Sequence, residues 1–236
     1  MKKEGQVSLF VIVALVIIGT IIIVQFFWDR QQTISKITDP IHSHVENCIE
    51  EIGIDGIIYT SSKGGYYISP EKSLESGIPI YLDENSDFTQ SKKIIEEQLS
   101  WYVEDNLHDC LAYENYPEFV IEEEAITAKT SLNNEKIIFT LDYPIRITKG
   151  EFTETVDLFS QEINVRMGLA HQVAQSIVSN ELEDRYLCVD CLDYFSETYD
   201  FSINALQYDN STYIISLIDK ELNDKPYVFT FALDYD

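Results

Sequence analysis

Residues 136–167, KIIFTLDYPIRITKGEFTETVDLFSQEINVRM, contain the pattern that decides the fold. Between Phe159 and Met167 apolar residues alternate with polar ones, which is the period of two that a half-buried strand shows. Lys149-Gly150 predicts a hairpin turn in the middle of the stretch. We therefore predict two antiparallel strands, Lys136–Ile147 and Phe152–Met167.

Segments with helical and strand periodicity surround this hairpin. Apolar residues at helical spacing predict helices over residues 91–110 and Gly168–Leu182, and an earlier one that begins at Asp39-Pro40 and ends at Gly53 and Gly56. Further short strands are predicted from β-branched and aromatic residues: Ile57–Tyr59, Tyr66–Ile68, Phe119–Ala125, Phe201–Leu206, Tyr213–Ile218 and Tyr227–Leu233. This order has few βαβ crossovers, so it predicts an α+β fold with helices packed on a mainly antiparallel sheet.

The N-terminal segment is apolar and free of charge from Val7 to Trp28. About 20 such residues are enough to span a bilayer, so the sequence predicts a transmembrane helix, with a secretory signal peptide as the rival interpretation. Lys2 and Lys3 favour a cytoplasmic N-terminus, which places the remaining chain outside the cell. The predicted organisation is a cytoplasmic tip and membrane helix (1–28), a stalk (29–40) and an extracytoplasmic domain (41–236), the last possibly divided into 41–183 and 184–236.

The chain is strongly acidic, with 41 Asp and Glu against 16 Lys and Arg and a formal net charge of −25. Nucleic-acid binding needs clustered basic residues, so this class is excluded as a partner. Asp83, Asn85 and Asp87 have the spacing of a calcium loop, but Phe88 stands where that loop needs Gly and Ile94 where it needs Glu. The sequence therefore predicts no metal site and no cofactor.

Four cysteines are an even number in a domain that is predicted to face an oxidising space, which favours disulfides. Cys188 and Cys191 are close enough to pair with each other, which leaves Cys48 to pair with Cys110. The other two pairings of four cysteines stay open.

The same cysteines admit two functional alternatives. His44 and His108 could join Cys48 and Cys110 as zinc ligands, although a zinc ribbon normally shows two compact cysteine pairs. The motif Cys188-Val-Asp-Cys191 could exchange thiols, but no convincing helix start follows it and Asp190 disfavours a thiolate.

Catalytic motifs are missing from the sequence. It contains no Gly-x-Ser-x-Gly and no His with an evident acidic partner, so we predict no catalytic residue and no enzyme. Asn210-Ser211-Thr212 is the only N-x-S/T sequon, and it predicts either a glycosylated turn or an ordinary polar one.

Two resemblances add to these patterns. The opening residues Lys2–Leu9 resemble the class III signal peptides of archaeal type IV pilins, which implies cleavage between Gly5 and Gln6 and an apolar helix in a filament core. The segments Gly5–Phe10, Val45–Ile49, Gly64–Ile68 and Tyr227–Ala232, with the helix that ends at Cys110, resemble an uncharacterised family of single-pass, surface-exposed proteins of DPANN archaea. That resemblance implies an archaeal cell-surface location and supplies no activity.

The combined expectation is a membrane-anchored cell-surface protein with a non-enzymatic structural, adhesion or interaction role. Its expected partners are the lipid bilayer and other surface proteins, a surface layer or copies of itself. A pilin-like filament subunit and a surface receptor for a solute or metal are the alternative functions.

Overall fold

The computed structural model describes residues 4–84, 86–182, 186–222 and 224–236, with side chains described outside 4–14, 26–37, 220 and 221. Its helices are α1 (Glu4–Ser61), α2 (Lys92–Leu111), α3 (Met167–Glu181) and α4 (Val189–Tyr199), with a short 3-10 helix at Tyr113–Asn115. Its strands are β1 (Ile80–Asp83), β2 (Ser86–Asp87), β3 (Val120–Glu123), β4 (Thr127–Leu132), β5 (Lys136–Lys149), β6 (Phe152–Asn164), β7 (Ser202–Gln207), β8 (Thr212–Leu222) and β9 (Lys225–Asp234). The fold is α+β.

The strands form two mainly antiparallel sheets. The first sheet has the order β2-β1-β9-β8-β7, and the pairing of β1 with β9 is parallel while its other pairings are antiparallel. The second sheet is built around the long strand β5. Strand β6 pairs along one side of β5, while β3 and β4 share the other side end to end. The predicted hairpin of β5 and β6 is confirmed, with Lys149 paired to Phe152 at the turn.

The predicted transmembrane helix is wrong. In the described part of the chain, no helix combines the length and the apolarity that are needed to cross a membrane. Within the predicted span, side chains are described for Leu15–Gln25. The other residues of the predicted span, and Lys2 and Lys3, lie outside the described side chains.

Helix α1 is continuous through Pro40, where the sequence predicts a fresh start, and it passes Gly53 and Gly56, where the sequence predicts an end. A Cβ on Gly53 would come within 2.9 Å of Ile163 Cδ1, and one on Gly56 within 2.7 Å of Tyr102 Cδ1. These glycines therefore allow α1 to approach β6 and α2 closely, rather than breaking the helix.

Helix α1 ends instead at the double glycine that follows it. Gly64 and Gly65 have positive φ angles of 54° and 86°, and the N–H of Gly65 donates to the carbonyl of Thr60 over 2.7 Å. This left-handed turn satisfies carbonyls at the helix end. The predicted strands Ile57–Tyr59 and Tyr66–Ile68 are wrong, since the first is the last part of α1 and the second has no strand partner.

A single hydrophobic cluster joins the helices to both sheets. Fully buried members include Ile49 of α1, Leu99 of α2, Phe139 of β5, Ile177 of α3 and Phe229 of β9. Residues from both halves of the chain thus contribute to one core.

Helix α2 lies along the outer edge of β4 and closes it with three side chains. Glu96 accepts from the N–H of Leu132 over 2.9 Å, Ser100 from that of Thr130 over 3.0 Å, and Glu104 from that of Ala128 over 2.7 Å. Helical residues four apart are about 6.0 Å apart along the axis, and alternate strand residues are about 6.8 Å apart, so the two repeats match. Sequence reasoning missed β4, whose outward N–H groups are satisfied in this way.

Candidate functional site

All four cysteines are paired, in the arrangement that the sequence favours. Cys48 on α1 is bonded to Cys110 near the end of α2, and Cys188 to Cys191 at the start of α4. The first bridge closes 62 residues of chain. In the chain-entropy model, a loop of that size stabilises the folded state by about 4 kcal/mol.

The zinc alternative does not fit these contacts. Cys48 and Cys110 cannot supply thiolates while they are bonded to each other, His108 is exposed, and His44 Nε2 donates to the Leu111 carbonyl over 2.8 Å. Within the described ranges no group of three or more His, Cys, Asp or Glu side chains could hold a metal ion.

The calcium-like stretch is also used for local contacts. Asp83 forms an ion pair with Lys72, and Asp87 accepts from the N–H of Thr89 over 2.7 Å. Asn85 lies outside the described residues.

An open acidic cleft of about 310 Å³ lies between α1 and β9, lined by Asn47, Glu50, Glu51, Ile54, Asp55 and Lys225. Lys225 Nζ lies 2.7 Å from Asp55 Oδ1, and Gln161 Nε2 donates to Glu50 over 3.3 Å. The hydrogen bond to Asp55 raises the pKa of Lys225. The carboxylates of Glu50, Glu51 and Asp55 give this lining a weak attraction for cations.

Arg166 anchors the segment that leads into β7. Its guanidinium binds both carboxylate oxygens of Asp219, and it also donates to the carbonyls of Tyr199 (3.0 Å) and Asp200 (2.7 Å). The ring of Phe201 lies 4.3 Å from Arg166 Cζ. The hydrogen bond with Asp219 raises the pKa of Arg166. Sequence reasoning missed this site, because its five members come from three segments that are far apart in the chain.

Two buried polar groups support the sheets. Tyr143 of β5 donates to Glu123, and its hydroxyl oxygen lies 3.1 Å from that of Tyr113. Burial raises the pKa of Tyr113 to about 12 and also raises the pKa of Tyr143.

His171 of α3 donates from Nε2 to the Gln90 carbonyl over 2.8 Å, and burial lowers the pKa of His171. Each side chain has a partner and holds the fold.

Helix α1 has an exposed apolar stretch, residues Leu15–Val24, which we call the apolar segment. Eight large side chains in it are 50–64% exposed: Leu15, Val16, Ile17, Ile18, Ile21, Ile22, Ile23 and Val24. The hydroxyl of Thr20 donates to the Ile17 carbonyl of the same helix over 2.8 Å. No polar side chain in this segment therefore depends on water for its hydrogen bond.

The remaining predicted positions are the sequon and the processing junction. Asn210 is exposed at the hairpin between β7 and β8, where Asp209 Oδ1 accepts from the N–H groups of Ser211 and Thr212 at 3.0 and 2.8 Å. These hydrogen bonds lower the pKa of Asp209. Gly5 and Gln6 belong to α1 but lie outside the described side chains.

No family model, curated protein or solved structure matches this chain. The resemblances to DPANN surface proteins and to pilin signal peptides stay predictions from the sequence.

Proposed function

We propose that this chain is a non-enzymatic structural protein of an extracytoplasmic surface, and that copies of it assemble through the apolar segment. The observation that carries the proposal is the exposure of eight large apolar side chains on one stretch of helix. Folded proteins rarely leave such a surface in water, and extensive exposed apolar surface marks an interaction site.

These side chains lie on all sides of the helix, and this distribution favours other helices as the partners that bury them. A helix that is apolar on all sides is normally buried on all sides, which a neighbouring helix on several faces achieves. Full burial of one Ile, Leu or Val side chain stabilises by about 1.5–3 kcal/mol, so even partial burial of eight of them is a large driving force. Gly19 has no side chain and lies beside open space, so another helix could approach closely at this position.

The connection to the domain supports a structural role. The apolar segment belongs to the same helix whose C-terminal part packs in the core, and Cys48 bonds this part to α2. Contacts between the segments of neighbouring copies would therefore be transmitted directly to their domains.

The extracytoplasmic location rests on the cysteines. Disulfides persist in oxidising compartments and are rare in the cytosol, and this domain has two. The acidic composition suits an exposed, soluble surface.

The pilin-like form of this proposal adds cleavage between Gly5 and Gln6. It is favoured by one long helix, Glu4–Ser61, whose last third packs against strands. Mass spectrometry of the native N-terminus tests it, since a mature chain that begins at Gln6 is expected and an intact start would exclude processing.

Sedimentation of the purified full-length chain tests the assembly itself. The double substitution Ile18→Asp/Ile22→Asp places charge in the apolar segment and should abolish large assemblies. The matched control is Ile68→Asp/Leu158→Asp, because these side chains are 61% and 64% exposed elsewhere on the molecule.

Two results would overturn the proposal. One is an Ile18→Asp/Ile22→Asp variant that assembles as the wild-type chain does. The other is a wild-type chain that forms no large assemblies and only partitions into phosphatidylcholine vesicles, which would show that lipid buries the apolar segment.

A further inference from the structure

Strand β7 forms one edge of the first sheet, and its outer side is open. In the described chain it pairs only with β8. Ser202, Asn204, Ala205, Leu206 and Gln207 are all exposed, whereas Ile203 is half-buried and packs against the hydrophobic core. Helix α4 contacts β7, but no described strand pairs with its outer edge.

The hairpin that follows β7 shows which of its backbone groups point outward. The N–H of Tyr208 donates to the Thr212 carbonyl over 2.9 Å, which makes these two residues a hydrogen-bonded pair. Hydrogen-bonded and non-hydrogen-bonded pairs alternate in antiparallel strands. With the observed register, Ile203, Ala205 and Gln207 therefore direct both N–H and C=O away from β8.

Strand β7 lacks the features that normally prevent edge-to-edge pairing. Residues 201–208 contain no charge and no proline, and the pairing with β8 has no bulge. The edge of β4, by contrast, is closed by α2, and β6 carries Glu154, Asp157 and Glu162. Natural sheets use coverage or charge in this way against unwanted pairing.

We propose that β7 pairs antiparallel with β7 of a second copy of this chain, centred on Ala205, so that the two first sheets become one continuous sheet. In this register Ile203 faces Gln207 of the other copy, and the outward N–H and C=O groups of the two strands bond to each other. The contact is isologous and closes as a dimer.

The uncharged edge of β7 is a part of this acidic surface that a second copy can approach. With a formal net charge of −25, copies repel each other over most of their surface. Pairing centred on Ala205 sets Asp200 opposite Asn210 and Asp209 opposite Phe201, so no carboxylates meet directly.

Strand β6 shows the contrasting case. Self-pairing centred on Leu158 would set Glu154 opposite Glu162, and like charges that face each other across strands are destabilising. A basic foreign strand would prefer this acidic edge of β6 to the uncharged edge of β7.

The β7 contact goes beyond the proposed function, because it uses a part of the chain far from the apolar segment in sequence.

Site-specific crosslinking of the full-length chain tests the proposal. Facing residues of antiparallel strands have Cα atoms about 4.5–5.5 Å apart, which is within the range that a disulfide bridges. Ala205→Cys should therefore form a covalent dimer under mild oxidation. Leu158→Cys is the matched control, since its side chain is exposed on the other long edge strand. Peptide mapping checks that the native disulfides are retained.

A pair of substitutions at the same position separates pairing from folding. Ala205→Pro removes an outward N–H without removing a hydrogen bond to β8, whereas Ala205→Val keeps it. In sedimentation equilibrium, with Ile18→Asp/Ile22→Asp present in both variants to prevent assembly through the apolar segment, Ala205→Pro should weaken dimerisation by roughly tenfold or more, because each copy loses one hydrogen bond, and Ala205→Val should not. Circular dichroism melting verifies that both variants fold.

The proposal is overturned if Ala205→Cys crosslinks no more than Leu158→Cys, or if Ala205→Pro dimerises as Ala205→Val does. Adding Ile18→Asp/Ile22→Asp to Ala205→Cys separates the two contacts. Crosslinking that persists in this background supports an independent β7 contact, and its loss would overturn that independence.

Discussion

Strands β4 and β7 both have an outer edge that pairs with no described strand, but another element covers only the edge of β4. Three side chains of α2 accept hydrogen bonds from the outward N–H groups of β4. The outward groups of β7 have no such neighbour among the described residues, and its side chains carry no charge. Within one acidic chain, one edge is therefore completed by the molecule itself and the other is left to a partner. Composition alone therefore does not show which part of a chain of this charge can associate with another chain.

The largest effect is expected at the anchor of β7. Arg166→Met removes one partner of the Asp219 carboxylate, which is only 8% exposed, and the hydrogen bonds to the carbonyls of Tyr199 and Asp200. Breaking a buried ion pair by removing one partner costs about 3–5 kcal/mol, and the 20% exposure of Arg166 places this case near 3. Urea unfolding measures the loss, and hydrogen exchange should show faster exchange in β7.

The control for this prediction is Arg146→Met. Arg146 and Glu122 form an ion pair with both side chains more than 60% exposed, so the loss should stay below about 1 kcal/mol. Equal effects of the two substitutions would show that Arg166 does not anchor β7.

A smaller effect is expected at the outer edge of β4, which α2 covers. Ser100→Ala leaves the N–H of Thr130, a buried residue, without its acceptor, which should cost about 1–3 kcal/mol. Urea unfolding and exchange at the Thr130 amide measure it. Ser176→Ala is the control, because that hydroxyl is exposed and donates to the Gln172 carbonyl of its own helix. If the Thr130 amide exchanges as slowly in Ser100→Ala as in the wild type, α2 does not close the edge.

The smallest effect is expected for the pH dependence of stability, through His171, which lies beside the sheet that contains β7. Burial lowers the pKa of His171, whose ring lies 6.5 Å from that of Phe229 in β9. Protonation of His171 is therefore less favourable in the folded state than in the unfolded chain, where this side chain is protonated below about pH 6.5. The contribution of His171 is complete above this pH, and stability falls as the pH decreases, by at most about 1.4 kcal/mol per pH unit.

Urea unfolding at pH 7.5 and 5.5 tests this dependence. His171→Gln should lose part of the acid-induced decrease, while His108→Gln, at an exposed position of α2, should keep it. An unchanged decrease in His171→Gln would show that another group is responsible.

Much of the regular structure could be predicted from local patterns. The alternation in β5 and β6 and the aromatic and β-branched runs of β7, β8 and β9 placed these strands within a few residues. Helices α2 and α3 followed from apolar residues at helical spacing. These patterns are visible because each element buries one face against the same core.

Other elements could not be predicted because their stability comes from distant residues. Strand β4, TAKTSL, has little apolar alternation and depends on Glu96, Ser100 and Glu104 of α2. The expectation that no helix starts after Cys188 is wrong, since the amphipathic helix α4 begins at Val189 with a local cap, in which the Cys188 sulfur accepts from the N–H of Cys191 over 3.3 Å. At Gly53 and Gly56 the local tendency to end a helix was outweighed by close packing against β6 and α2.

By itself, the sequence determined the α+β class, the acidic surface, the paired cysteines and the presence of an apolar N-terminal stretch, since each depends on composition or on neighbouring residues. Only the tertiary structure decided that α1 is continuous into the core, that α2 closes β4 and that β7 stays open. The physical reason is that an N–H group or an apolar side chain is satisfied by whichever residue lies beside it in space. That residue is often far away in the chain.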